Sequence, residues 1–343
     1  MRILLIGGTG TISTAITALL ASMVKEGLTK DEIWVLNRGN RMGELPEGVR
    51  QIIADAYDRE SLTKAVDGME FDVVCFFIGF DVNQVSVVHD VFAGKIGQFV
   101  YISSASAYQK PPVGYIITEE TPLENPFWEY SRKKIECENY LMEKFRTEGF
   151  PATIIRPSHT YCERSVPAGM HGDKGSWQVL KRMIDGKPVI VHGDGSSLWV
   201  MTDSRDFAVA FTGLLGKKEA IGQAFHITSD ESIPWNQIYT DIAWALSEVL
   251  GRPVTPVLHH VASDRIVEEA RAFGYDMEGN LIGDKANSVV FDNSKVRSVV
   301  PHFKAQVSHR EGTLRAVKYI MAHPELQVED PQFDAFCDRL AEL

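Results

Sequence analysis

Paired cysteines, long apolar runs and an excess of basic charge are all missing from this chain of 343 residues. Its four cysteines, Cys75, Cys137, Cys162 and Cys337, are widely spaced and include no Cys-x-x-Cys pair. That excludes a disulfide-stapled miniprotein, argues against a zinc site and fits a reducing cytoplasm. The longest apolar stretch, residues 73–80, is far short of the ~20 residues that a membrane-spanning helix needs. The short apolar run after Arg2 is too brief for a signal-peptide core, so no membrane association is expected. Basic residues number 35 against 46 acidic ones, a net charge of −11, which argues against nonspecific binding to nucleic acid or to anionic membranes. No internal repeat, low-complexity tract or long linker interrupts the chain.

What is present is an ordinary globular composition, 44% hydrophobic and 24% charged, enough for one large domain or two moderate ones. The first 160 residues alternate between short apolar runs and helical periodicity. Strands are expected at 3–6, 33–36, 51–54, 73–78, 99–103 and 152–156. Helices are expected at 11–26, 61–66, 83–92 and 130–147. Such alternation implies an α/β fold with a doubly wound parallel sheet, a Rossmann domain over residues 1–161. Residues 162–343 read as a smaller α+β domain, mainly for substrate, with some segments returning to the first. It has helices at 177–185, 206–215 and 235–250, strands at 189–192 and 224–228, and a polar, irregular stretch at 268–285.

Three constellations carry chemistry. Gly7-Gly8-Thr9-Gly10-Thr11-Ile12-Ser13 lies between the first strand and the first helix, where glycines let the backbone approach a pyrophosphate at a helix N-terminus. Gly7, Gly10, Thr11 and Ile12 are the residues expected to touch it, and Ser13 stands where a third glycine is usual. At the end of the second strand, Asn37 replaces the acid that would read a ribose 2′-hydroxyl. Arg38 and Arg41 could pair with a 2′-phosphate, so NADP is favoured over NAD. Asp55, followed by Ala56, closes the third strand, where a carboxylate could accept from an adenine amino group or simply shape a turn. The third constellation is Tyr130-Ser131-Arg132-Lys133-Lys134. Its Tyr130 and Lys134 share a helix face, 26 residues beyond Ser104 in the run Ser103-Ser104-Ala105-Ser106-Ala107-Tyr108.

The glycine turn, the serine run, the Tyr-x-x-x-Lys helix and Arg156-Pro157 occur in one order. Together they resemble the extended short-chain dehydrogenases/reductases of the NAD-dependent epimerase/dehydratase family, in an atypical branch. The likeness is clearest over residues 1–230 and continues at Phe291-Asp292-Asn293-Ser294-Lys295. It implies that Tyr130 is the acid/base, that Lys134 holds the nicotinamide ribose and favours the phenolate, and that Ser104 positions the substrate oxygen. A free phenol ionises near pH 10, so Tyr130 would have to fall by about three units to work as a base near neutrality.

The implied activity is that of an NAD(P)-dependent oxidoreductase or epimerase acting on a secondary alcohol or ketone, with sugar-like substrates expected. A nucleotide-sugar 4-epimerase is the alternative. The branch also includes chloroplast stem-loop-binding proteins, so a nucleotide-binding regulatory or RNA-associated protein is the rival of another class. Departures from the family pattern bear on substrate. Ala105-Ser106 stands where dehydratases carry an Asp-Glu pair, and Ser196-Ser197-Leu198 where an arginine grips a diphosphate. Of the basic residues that could replace that arginine, Lys181, Arg182 and Arg265 lie in the second half. A substrate smaller or less charged than a nucleotide sugar is therefore expected, under a movable roof of residues 165–177 and the polar stretch before Lys285. His159 and Cys162 read more readily as packing than as substrate contacts. Relatives dimerise through two helices per subunit, and Ile135, Tyr140, Leu141 and Phe145 would give the matching helix here an apolar face for a homodimer.

Overall fold

The computed structural model describes residues 1–39 and 45–343. Seven parallel strands form the central sheet: β1 (Arg2–Ile6), β2 (Glu32–Asn37), β3 (Arg50–Ile53), β4 (Val73–Phe76), β5 (Gln98–Ile102), β6 (Ala152–Pro157) and β7 (Gln223–Ile227). Their spatial order is β7-β6-β5-β4-β1-β2-β3, so the chain changes direction across the sheet between β1 and β4. Successive side chains of β1 serve opposite faces, as pleating requires. Ile3 and Leu5 join the core beneath α1 (Ser13–Lys25), while Leu4 and Ile6 join the core beneath α2 (Arg59–Ala65) and α3 (Val82–Phe92). The strand expected at 224–228 is β7, which extends the main sheet in parallel register with β6, Ala224 opposite Ile154. This is the doubly wound α/β architecture that the alternation implied.

The helix carrying Tyr130 and Lys134 is α4 (Glu129–Glu148). Its inner face is tied to the sheet by a buried polar chain. Glu138 takes a bidentate contact from Arg156 of β6, Nη2 at 2.6 Å and Nε at 3.1 Å, and also accepts from the Ser103 hydroxyl. Arg156 Nη1 reaches the Tyr108 hydroxyl at 3.2 Å, and Tyr108 pairs with His226 of β7 at 3.0 Å. Leu141 is fully buried under the sheet, Tyr140 bonds His89, and Phe145 packs on Gly222. The apolar residues that suggested a helix pair between copies are thus largely used inside the chain, and Arg132, Lys133, Glu136 and Glu143 face outward.

A third core gathers α5 (Trp177–Ile184), α7 (Trp235–Leu250), α8 (Ser263–Ala272) and the helices His309–Ala322 and Pro331–Leu340. Between α5 and α7 in the chain, α6 (Ser204–Leu214) returns to the sheet and packs on α1. The stretch expected to be irregular is mostly helical. Ile266, Val267 and Ala270 give α8 a buried stripe that the acids around it disguise in the sequence. Farther on, Glu278–Asn280 runs into a single π-helical turn, Leu281–Lys285. That turn is pinned rather than movable, because the Lys285 carbonyl accepts from His192 Nε2 and Trp235 Nε1, both at 3.1 Å, and from Ser197 Oγ at 3.4 Å.

Two stability predictions follow from these anchors. Removing one partner of a buried ion pair strands the other charge, so Arg156→Met should cost about 3–5 kcal/mol in urea unfolding. Adding Glu138→Leu should recover most of that loss; a cost below about 1 kcal/mol for the single change would show that the pair does not anchor α4. His192 is buried, and burial, partly offset by the Lys285 carbonyl, holds its pKa down to about 4. An unfolded histidine titrates near 6.5. Between those values the unfolded chain binds the extra proton, so stability falls as pH drops from 6.5 toward 4, by up to about 1.4 kcal/mol per pH unit for this site. His192→Gln keeps an N–H donor and should flatten the slope; equal slopes in both proteins would place the acid sensitivity elsewhere.

Candidate active site

Two cavities open at the carboxyl edge of the sheet, where ligands of doubly wound folds lie. The first, ≈ 340 Å³, is lined by Gly7, Gly10, Asn37, Arg38, Asp55 and Ala56, together with Tyr57 and Phe80. Gly7 has φ +86°, and a Cβ there would sit 2.7 Å from Ile78, so the close approach needs glycine. Ser13, in place of the third glycine, organises the turn: its hydroxyl accepts from Gly10 N–H at 2.8 Å and donates to the Gly7 carbonyl at 2.6 Å. The Thr11 and Ile12 side chains do not line the cleft. Thr11 is exposed and Ile12 packs toward the sheet, so their contribution is backbone N–H at the start of α1.

Asn37 Oδ1 is engaged by Gly39 N–H and Gln51 Nε2, both at 3.0 Å. Asp55 both lines the cleft and shapes a turn, its Oδ1 accepting from Tyr57 N–H at 2.9 Å. Among the described residues no carboxylate pairs with Arg38. Arg41 lies outside the described residues. A glycine cradle, a helix N-terminus and a guanidinium at the cleft fit a dinucleotide.

The second cavity, ≈ 260 Å³, is lined by Ser104, Tyr130, His159, Trp199, Lys110, Asp284 and Lys285. Ser104 Oγ is 2.8 Å from Ser106 Oγ, which in turn accepts from Ser131 on α4 at 2.8 Å. Lys134 lies between the two cavities. Its Nζ donates to the Gly79 and Ile102 carbonyls, both at 2.7 Å, and sits 5.0 Å from the Phe80 ring centre and 5.7 Å from that of Tyr130.

The electrostatics differ from the expected depression of the phenol. Burial pushes Tyr130 up to about 12; the Ser104 hydroxyl opposes this and Asp284 adds to it. Burial likewise pushes Lys134 down to about 8, against Cys137 and Glu138. Loss of water around the site favours the uncharged phenol at Tyr130.

Several expectations about the second half need correction. His159 lines the cavity instead of serving only as packing, and burial with nearby Lys285 keeps it neutral, its pKa at about 3. No residue of 165–177 lines the cavity. Val166, Ala168 and Met170 are core residues, and Gly172 is pressed against Asp330 of the C-terminal helix cap. Lys181 pairs with Asp185, buried Arg182 with Asp334 and Asp338, and Arg265 with Glu268 and Glu269. The cations at the cavity are instead Lys110 and Lys285. Sequence reading missed both, along with Asp284, since only the fold brings positions 110 and 284 together. The polar character of 268–285 was the available signal.

Residues 3–228 match the NAD dependent epimerase/dehydratase family. The chain is 26% identical over 257 residues, 75% of its length, to 2′-dehydrokanamycin reductase of Streptomyces kanamyceticus, of which the match covers 69%. It is 22% identical over 287 residues to the chloroplast stem-loop binding protein of 41 kDa b of Arabidopsis thaliana, spanning 80% of this chain and 70% of that protein. Its fold resembles that of UDP-glucuronic acid 4-epimerase from Bacillus cereus, solved with UDP-glucuronic acid and NAD. The TM-score is 0.69 at 17% identity, over 94% of this chain and all of that one. Among the described residues no helix is long and apolar enough to cross a membrane. With a glycine turn at a dinucleotide cleft and a match over two-thirds of its length, this chain belongs to the NAD dependent epimerase/dehydratase family of enzymes.

Proposed function

We propose that the protein is an NADP-favouring carbonyl reductase for a sugar-like ketone, with Ser104, Tyr130 and Lys134 as its catalytic set. The observation that carries this reading is the position of Lys134, between the dinucleotide cleft and the cavity that holds Ser104 and Tyr130. A nicotinamide dinucleotide supplies hydride chemistry when bound. Gly7, Gly10 and the N-terminus of α1, with Thr11 and Ile12, would hold its pyrophosphate; Asp55 and Ala56 would meet the adenine end. Arg38, which pairs with no carboxylate among the described residues, would read a 2′-phosphate, the role the sequence also gives to Arg41.

Reduction of a ketone needs a proton at the carbonyl oxygen as negative charge develops there. Tyr130 Oη carries that proton at neutral pH because burial keeps the phenol protonated. Ser104 Oγ, steadied by Ser106, donates a second hydrogen bond to the same oxygen. Lys134 keeps one N–H beyond the two given to Gly79 and Ile102, and its charge stabilises the phenolate left after proton transfer. The kinship with a named reductase supports this direction. A cavity of ≈ 260 Å³, near the lower limit of small-molecule pockets at roughly 300 Å³, favours a substrate smaller than a nucleotide sugar. The likeness to a stem-loop-binding protein favours the rival reading, but a net charge of −11 offers little general attraction for an RNA backbone.

Cofactor choice is tested by titration. NADPH should bind more tightly than NADH, and Arg38→Ala should narrow the gap; equal affinities unaffected by the substitution would remove the NADP assignment. Catalysis is tested by following NADPH oxidation with a panel of keto sugars. Tyr130→Phe should keep cofactor binding and lose roughly 10²–10⁴ in turnover, the usual worth of acid–base catalysis. Full activity in that variant would end the mechanism, and micromolar affinity for UDP-glucose, UDP-galactose or GDP-mannose would restore nucleotide-sugar epimerisation.

A further inference from the structure

The cavity beside Tyr130 contains polar groups that nothing in the fold satisfies. Lys110 is 4% exposed, and among the described residues its ammonium has no hydrogen-bond or ion-pair partner; Asp284 acts on it only through charge. Trp199 is 5% exposed and stacked on Trp235, and its indole N–H is buried without an acceptor. Asp284, brought in by the π turn, accepts no hydrogen bond at its carboxylate among the described residues. Lys285 is bonded to Asn280. Unpaired buried donors and charges are costly, so a fold retains them where a ligand supplies the partner. The tally of charges facing the space is Lys110 and Lys285 against Asp284, one positive charge in excess.

We propose that this cavity takes a sugar-sized substrate bearing one acidic group, a carboxylate or a phosphate monoester, with Lys110 pairing the acid and the Trp199 N–H donating to a second oxygen. This rests on the reading of the cavity as the substrate site. One acidic group supplies the counter-charge: a carboxylate cancels the excess, and a phosphate monoester, close to −2 at neutral pH, exceeds it by about one charge. The Asp284 carboxylate then accepts from substrate hydroxyls, which the pinned π turn holds in a fixed place. Lys110 and Trp199 are positioning residues: they orient the carbonyl toward Tyr130 and take no part in proton or hydride movement.

The test is calorimetry on the full chain saturated with NADP⁺, using matched sets of glucose, galactose and mannose with their uronates and 6-phosphates. In at least one configuration an acidic sugar should bind ten-fold or more tightly than its neutral counterpart, and added salt should weaken only the acidic sugar. Uronates alone, or 6-phosphates alone, would identify the acid. Lys110→Met should erase the preference, Lys110→Arg should restore most of it, and Trp199→Phe should weaken acidic and neutral sugars by the same factor. In turnover, Lys110→Met should raise KM with little change in kcat. Neutral sugars binding as well as acidic ones, no acidic sugar binding at all, or a preference that survives in Lys110→Met would overturn the proposal. The reductase reading stands apart from it: Tyr130→Phe should leave the acid preference intact, and a preference without NADPH-linked turnover would defeat the reductase reading alone.

Discussion

Everything at the candidate site depends on the buried pairing of Arg156 with Glu138. The strand β6 and the helix α4 meet there, with Ser103 at the end of β5 drawn into the same carboxylate. A buried pair gains little net stability over a packed apolar pair, because both ions leave water. What it contributes is geometry: a bidentate contact allows one register of the helix against the strand, and Tyr108 and His226 extend that demand to β7. One turn before Glu138 stands Lys134, and one turn before that Tyr130. The pairing that fixes α4 therefore fixes which carbonyls Lys134 meets and which cavity Tyr130 faces.

Lys134 shows how closely structure and chemistry share one residue here. Its two carbonyl bonds close the gap between the end of β5 and the loop after β4. They also compensate part of the cost of burying an ammonium, whose pKa burial lowers to about 8 against the charges of Cys137 and Glu138. On the other side of the cavity, the Lys285 carbonyl gathers three donors and holds the π turn rigidly. The site is thus framed by two lysines whose backbone or side chain is already committed, while the Lys110 ammonium meets no partner among the described residues.

Much of this was legible along the chain, for a physical reason. Parallel strands covered on both faces are continuous apolar runs, and amphipathic helices keep a 3.6-residue period, so β1–β6 and α1–α4 are local facts. The glycine turn is legible because one backbone conformation restricts the residue at Gly7. Asp284 and Lys110 were not, since they are 174 positions apart and meet only through the pairing of Ile116–Ile117 with Val290–Phe291. The upward push of burial on Tyr130 was not legible for a related reason: sequence shows the lysine one turn away but not the loss of water around both. Leu141 and Phe145 looked like surplus apolar surface because β7, which brings Gly222 beneath Phe145, lies far along the chain.

The departure at Ala105-Ser106 now has a structural meaning. Ala105 is packed into the third core, and Ser106 spends its hydroxyl between Ser104 and Ser131 while its carbonyl accepts from Asn125. Neither can hold or release a proton at neutral pH, and the hydrogen bonds around Ser106 fix the orientation of Ser104 instead. On the proposed reading, proton movement at the substrate oxygen falls to Tyr130. His159, kept neutral by burial, and Asp284, raised by it, line the same space. Eliminating water from a sugar needs an acid at the leaving hydroxyl and a base at the neighbouring carbon, both close to the carbonyl. With serine and alanine in that place, elimination of water lacks its acid and base, while the hydride chemistry of the proposed reduction requires neither.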